Sequence, residues 1–228
     1  MQRHAETALD DAGETGLDMA PQLRRAVARA WVRPSGLIIA AGAGADETAA
    51  ALQRESGAED AGLVETRGAL GEAIEAAEIG QVVAVTSGAD AVGTIVALRR
   101  TAPDRFALAA SLRLVIAQRP AARLCAACRE PVQAYGSASA LLGLDPGAIL
   151  WKAEGCDACY GSGETGSVCV FEGVEIDAAM RRLIYDGADA PLLARHAYLS
   201  APNLAAAARA LARQGVIAPE EAVRISRG

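Results

Sequence analysis

The sequence predicts an α/β fold: an open sheet with helices packed between its strands, a four-cysteine insertion and a helical tail. Three observations predict it. Two short apolar runs, GLIIAA from Gly36 and QVVAVTSG from Gln81, have strand length and alternate with stretches of helical spacing. Two CxxC pairs, Cys125/Cys128 and Cys156/Cys159, interrupt that alternation in a Gly-rich stretch. From residue 177 onward every periodic segment is helical.

The elements follow in order. Residues 1–20 are acidic and Gly-containing and read as a loose lead-in. Residues 21–32 place Leu23, Val27 and Trp31 four apart, one stripe of a helix, with Pro21 suited to its first turn. The Pro34-Ser35-Gly36 break leads into the first strand. A Gly/Ala loop over 42–45 then runs into a helix start, with Asp46 as its expected N-cap. Residues 53–62 read as polar turn, 61–66 as a short strand, and 68–80 as a helix closed by Gly80. After the strand from Gln81, residues 89–100 read as helix. A longer helix is expected from Phe106 to Arg119, with Leu108, Leu112, Val115 and Ile116 on one face and Pro120 ending it. Residues 124–173 read as short elements, and four helical segments fill 177–226. The expected organisation is a lead-in over 1–20, an α/β core over 21–123, a cysteine module over 124–173 and a helical subdomain over 174–228.

Composition excludes several functions. Of 228 residues, 28 are acidic and 22 basic, a net charge of -6, which disfavours nucleic acid as the main partner. Lys152 is the only lysine, and His4 and His196 are the only histidines, so chemistry that needs either type has few candidates. The N-terminus carries acids where a secretory signal would be apolar, and no run nears the ~18 apolar residues of a membrane span. A cytoplasmic protein is the expectation, with its five cysteines as thiols or metal ligands.

Cys125, Cys128, Cys156 and Cys159, with 27 residues between the pairs, have the spacing of a zinc site. Each CxxC turns two thiolates toward one ion, and two such knuckles complete a tetrahedron with no position left for water. The site is therefore expected to be structural. Arg123, Arg129 and Lys152 lie near enough in sequence to offset its negative charge. Four unrelated buried thiols or a disulfide pair are the alternatives. Cys169, in the apolar run 168–171, reads as a small buried residue.

The order of features resembles one family, the motor ATPases of type II secretion and type IV pilus assembly. DRFALAASLRLVIAQR (104–119) followed by LCAACREPV resembles the family's stretch ending in AQR and RLC-x-x-C. LLGLDPGAILWKAEGCDACYGSGETG (141–166) resembles its second cysteine half-site, and NLAAAARALARQGVIAPEEAVRI (203–225) its closing helices. GLIIAAG running into AGADETAAAL is similar to the strand and phosphate loop GLILVTG-PTGSGKTT. The resemblance implies a RecA-like core with a zinc-bearing insertion.

The same resemblance implies a vestigial phosphate loop at Gly42, Gly44, Asp46, Glu47, Thr48 and Ala49. The family's phosphate-binding lysine falls on Thr48 and its magnesium-binding hydroxyl on Ala49, while Ala45 and Glu47 stand where the family has glycines. Such a loop works through backbone amides, a lysine and a hydroxyl that holds magnesium. Here Asp46 and Glu47 put two carboxylates at the anion position. The family's histidine box falls on Gly88. Only 15 residues separate Ala49 from Glu65, too few for the further strands the family carries there, and the family's large N-terminal domain has no counterpart. Glu65-Thr66-Arg67 is either a remnant of the family's Glu-x-Arg or an ordinary surface pair.

The resemblance and its departures imply a non-catalytic relative that binds zinc, with ATP and magnesium not expected. Its implied partners are a true motor ATPase or the inner-membrane platform of the apparatus, so any membrane contact is through them. The alternatives are a weak ATPase drawing positive charge from Arg54 or Arg67, a zinc module on nucleic acid, or a gene copy without a selected role.

Overall fold

The computed structural model describes residues 17–56, 62–134, 140–145 and 147–227, with the backbone alone at 56 and 62–68. A five-stranded sheet forms the core: β1 (Gly36–Gly42), β2 (Gly62–Glu65), β3 (Gln81–Thr86), β4 (Leu112–Leu124) and β7 (Glu164–Glu175), in the order β2-β3-β1-β4-β7. The first four run parallel, and β7 lies antiparallel on β4. A separate antiparallel pair, β5 (Arg129–Gln133) and β6 (Ile149–Ala153), carries the cysteines at its open end.

Helices cover both faces of the sheet. On one face, Leu37, Ile39 and Ala41 of β1 and Val115 and Ala117 of β4 pack against α3 (Thr66–Ile79), α4 (Ala91–Thr101) and α5 (Arg105–Ser111). α6 (Ala178–Asp186) and α7 (Ala190–Ala197) complete that layer through Met180, Ile184 and Leu193. On the other face, Ile38, Ala40, Leu114, Ile116 and Phe171 meet α1 (Pro21–Trp31) and α2 (Ala45–Ser56). Burial on both faces is why β1 is apolar throughout rather than alternating. A third cluster joins the cysteine hairpin to α8 (Leu204–Arg213) and α9 (Pro219–Arg227).

Three expectations are corrected. The long helix over 106–119 is a short helix ending at Ser111, followed by the thirteen-residue strand β4. Leu112, Leu114, Val115, Ile116 and Ala117 are all fully buried, because β4 sits between β1 and β7 with both faces covered. A fully apolar run satisfies helical spacing as readily as strand spacing, and the β-branched Val115-Ile116 pair favours the strand. Pro120 does not end the element, because pairing with β1 stops at Gln118 and Pro120 itself lies beyond it, in register with Cys169 of β7 alone. The helix after β1 begins at Ala45, so Asp46 lies inside the first turn and is not the cap. Residues 164–175, expected to hold short elements, form one twelve-residue strand of the main sheet.

The tail helices begin as their sequence suggests. The Asp177, Asp189 and Asn203 side chains accept from the amides of Met180, Leu192 and Ala206. Among the described residues, no helix is long and apolar enough to cross a membrane.

Candidate functional site

The cysteine centre is assembled by two tight turns. In the first, the Arg129 amide donates to the Cys125 carbonyl (3.0 Å). In the second, residues 157–159 form a 3-10 turn, Tyr160 adopts the left-handed conformation and the Gly161 amide returns to the Cys156 carbonyl (2.9 Å). The Cys125 amide bonds the Gly163 carbonyl (2.9 Å), which brings the two turns together.

The four sulfurs lie within 4.8 Å of one another. Cys125 and Cys156 are 3.9 Å apart, Cys128 and Cys159 3.9 Å, and Cys156 and Cys159 3.8 Å. A tetrahedron with metal–sulfur bonds of about 2.3 Å has edges of about 3.8 Å, so the spacing fits one four-coordinate ion. The Cys156 amide (3.1 Å) and the Gly163 amide (3.2 Å) also donate to the Cys159 sulfur. The Cys156 backbone contact is the largest influence holding the Cys159 thiol down to about 6, against the opposing effect of burial. Loss of water, followed by the crowding of the other sulfurs, pushes Cys128 up to about 12. An all-sulfur set suits a soft or borderline cation.

Of the basic residues expected to offset this charge, Arg129 and Lys152 have other partners. Arg129 donates to the Gly215 carbonyl (2.5 Å) and lies 5.2 Å from the centre of the Trp151 ring. Lys152 pairs with Glu154 at 3.2 Å, and Arg123 forms a backbone bridge to Ile217.

The second candidate is the β1–α2 connection, which is only Ala43 and Gly44. Gly42 has φ +108°, with its α-carbon turned against the Gln118 carbonyl, so a side chain there would collide with backbone. Thr48 is 2% exposed and its hydroxyl donates to Gln118 Oε1. Gln118 Nε2 in turn donates to the Ala43 carbonyl (2.8 Å). The Thr48 amide donates to the Gly44 carbonyl (3.4 Å), within the helix's own first turn. Ala45 and Ala49 are buried, and Asp46 and Glu47 are exposed at the helix start. Gln118 thus ties the buried Thr48 to the backbone of the exposed Ala43. Cys169 is half-buried beside Gln118, and burial, then the Glu47 charge, pushes its thiol up.

Arg54 is exposed in the last turn of α2, whereas the Arg67 side chain lies outside the described residues, as do those of Glu65 and Thr66. Gly88 follows β3, with a Cβ there crowded by Thr94 and Ala41. His196 is committed to Asp177 at 3.0 Å, and His4 lies outside the described residues.

Two residues escaped the sequence reading. Gln118 was assigned to a helix, so its place beside Thr48, across β4 and β1, was not visible. Glu172, 2% exposed, accepts from the amides of Ala91 (2.5 Å) and Leu204 (2.6 Å) and from the Tyr198 hydroxyl (3.1 Å). One carboxylate on β7 therefore joins the N-termini of α4 and α8, and its burial raises its pKa. A Glu in an apolar run was its one signal.

A family model described as type II/IV secretion system protein matches residues 65–224, more than half of the chain and all four clustered cysteines. The chain belongs to that family. The matched stretch begins after the β1–α2 connection. Type II secretion system protein E of Pseudomonas aeruginosa is 37% identical over 139 residues, 60% of this chain and 28% of that protein. The type IV pilus assembly ATPase PilB of Acinetobacter baylyi is 30% identical over 162 residues, 68% of this chain and 28% of that protein. The chain thus spans under a third of these relatives. Among solved structures, the Legionella pneumophila ATPase DotB aligns with a TM-score of 0.61 at 13% identity, over 95% of this chain and 65% of that one. The pilus retraction motor PilT with bound ADP aligns at 0.59 and 16% identity, over 93% and 66%. Both show a shared mixed α/β fold.

Proposed function

We propose that this chain is a non-catalytic member of the secretion and pilus motor family, acting as a zinc-holding binding or regulatory component of a type II secretion or type IV pilus apparatus. The observation that carries the reading is the geometry at Thr48. The family's phosphate-binding lysine falls there by resemblance, and here a buried hydroxyl bonds Gln118 behind a two-residue turn. A phosphate cradle needs several free amides around an open loop and a cation reaching over it. The Thr48 amide is used within α2, and Asp46 and Glu47 occupy the helix start, so a polyphosphate would meet like charge. Lys152, the only lysine, stands on β6.

Zinc is the ion the sulfur set fits best, held by Cys125, Cys128, Cys156 and Cys159. Four protein ligands leave it the role of a cross-link between two turns. A cytoplasmic chain meeting a true motor ATPase, or the apparatus platform at the inner membrane, is the setting this reading implies. The negative net charge weighs against nucleic acid.

The test is a phosphate-release assay on the zinc-loaded chain with Mg-ATP, run beside a pull-down from native cytoplasm and inner membrane. No phosphate release, with an apparatus component retained, is the expected result. Turnover lost on changing Arg54 or Arg67 would move the protein to the alternative reading of a weak ATPase.

A further inference from the structure

The four tail helices divide between two cores. α6 and α7 bury Met180, Ile184, Leu193 and Ala197 in the same cluster as α3, α4 and α5. α8 and α9 bury Leu204, Ala208, Ala212, Ala222 and Ile225 in a different cluster. Its other members come from the ends of β4 and β7 (Ala121, Val168 and Val170) and from the cysteine insertion (Ala134, Leu142, Leu144 and Leu150). The insertion and the last two helices therefore share one interior, although α6 and α7 separate them in sequence.

Polar contacts at the α8–α9 turn follow this division, while Glu172 on β7 ties the start of α8 to α4 and Tyr198. The turn between α8 and α9 is gripped from the cysteine hairpin by two side chains: Arg129 donates to the Gly215 carbonyl (2.5 Å), and Trp151 Nε1 donates to the Arg213 carbonyl (3.2 Å). The Arg129 guanidinium stacks on the Trp151 ring, so each gripping group also holds the other. Gly215 has φ +70°, and a Cβ on it would stand 2.5 Å from the Trp151 ring. Only glycine lets the indole lie flat on that turn. The end of β4 adds a backbone bond from the Leu124 amide to the Val216 carbonyl (2.9 Å).

The grip depends on where the hairpin is held. β5 starts at Arg129, immediately after Cys128, and β6 ends at Ala153, three residues before Cys156. The cysteine turns thus close the open end of a two-stranded ladder of five residues a side. Such a ladder is marginal by itself. An ion bound by both turns would fix its register and, through Arg129 and Trp151, the seat of the α8–α9 turn.

We infer that occupancy of the four-cysteine centre governs the docking of α8 and α9, making the cysteine hairpin and these two helices one metal-controlled unit whose interior is separate from that of α6 and α7. This rests on the zinc reading above. The coupling is reciprocal: whatever loosens α8 and α9 weakens the centre's hold on its ion. Couplings of this kind usually lie between about 5-fold and 150-fold.

The experiment is amide exchange by mass spectrometry on the full chain, comparing peptides from 204–227 with peptides from 178–197. Elemental analysis first establishes the zinc content. Stripping zinc with a chelator is expected to speed exchange over 204–227 by about tenfold or more and to leave 178–197 unchanged. Trp151→Ala, loaded with zinc, is expected to retain one ion per chain but to yield it to a competing chelator about tenfold more readily. Zinc present in the wild type, with exchange over 204–227 indifferent to its removal, overturns this inference alone. So does equal acceleration of 178–197, which would mean global unfolding. A wild-type chain without zinc overturns both this inference and the zinc reading.

Discussion

The four-cysteine centre and the β1–α2 turn both lie where the sequence resembles a motor ATPase, and their geometries differ in kind. At the cysteines, ligands from two turns converge to sulfur separations of 3.8–3.9 Å around a point a cation can occupy. At the β1–α2 turn, the side chains converge on one another. The Thr48 hydroxyl donates to the Gln118 amide, which in turn donates to the Ala43 carbonyl, so the side-chain groups of Thr48 and Gln118 are spent on the turn itself. A binding site keeps donors or acceptors in reserve for a ligand, whereas a packed turn spends them internally. The family match, which covers the cysteines and begins after this turn, divides the chain at the same place.

The comparison breaks most sharply if the cysteines do not hold metal. Cys156→Ser should lower zinc per chain from one to near zero by elemental analysis and remove a stabilisation on the order of 10 kcal/mol of metal binding. Full retention of zinc would show that the sulfurs do not act as a set.

A second test bears on the frame that holds Gln118. Leu112→Ala, at a fully buried position where β4 begins, should cost about 2–5 kcal/mol in urea unfolding. A cost within error would mean that β4 is not the rigid strand that aligns Gln118 with Thr48.

The turn itself is sharpened by Thr48→Val. That change keeps the shape and removes the hydroxyl, leaving Gln118 Oε1 buried without its donor. A loss of about 1–3 kcal/mol is expected, with no gain in nucleotide affinity. An unchanged stability would mean that the network is not closed.

The smallest effect lies at the seat of α9. Glu221 accepts from Arg224 and from the Ala122 amide, and these contacts, Arg224 first, hold its carboxyl below the ordinary 4.5. A depressed carboxyl stabilises the fold above its unfolded value and loses that contribution as the pH falls through its folded value. Glu221→Gln should therefore cost under about 1 kcal/mol at neutral pH, because the pair is partly exposed, with the cost shrinking below pH 4.5 and vanishing once the pH is under the folded value. A gap that persists in acid would assign the effect to packing.

The parts that could be read from sequence are those set by local chemistry. β1 and the middle of β3 are apolar runs of strand length, and the helical segments from residue 177 onward stand where their spacing puts them. The cysteine centre was readable because CxxC spacing encodes ligand geometry within four residues. β4 was misread because burial on both faces erases the period that separates strand from helix. That one error hid Gln118, since its partnership with Thr48 depends on the register of β4 against β1, 70 residues away in the chain. The membership of α8 and α9 in the cysteine unit was hidden for a similar reason: their Ala-rich faces record that they pack, but not against what.

We propose that this chain holds a metal ion at its cysteine turns and no nucleotide at its β1–α2 turn. The most direct measurement is calorimetric titration of the zinc-loaded wild-type chain with Mg-ATP. The account predicts no saturable heat at millimolar nucleotide from a protein that carries one zinc per chain. Saturable micromolar binding, abolished by Arg54→Ala or Arg67→Ala, would contradict it.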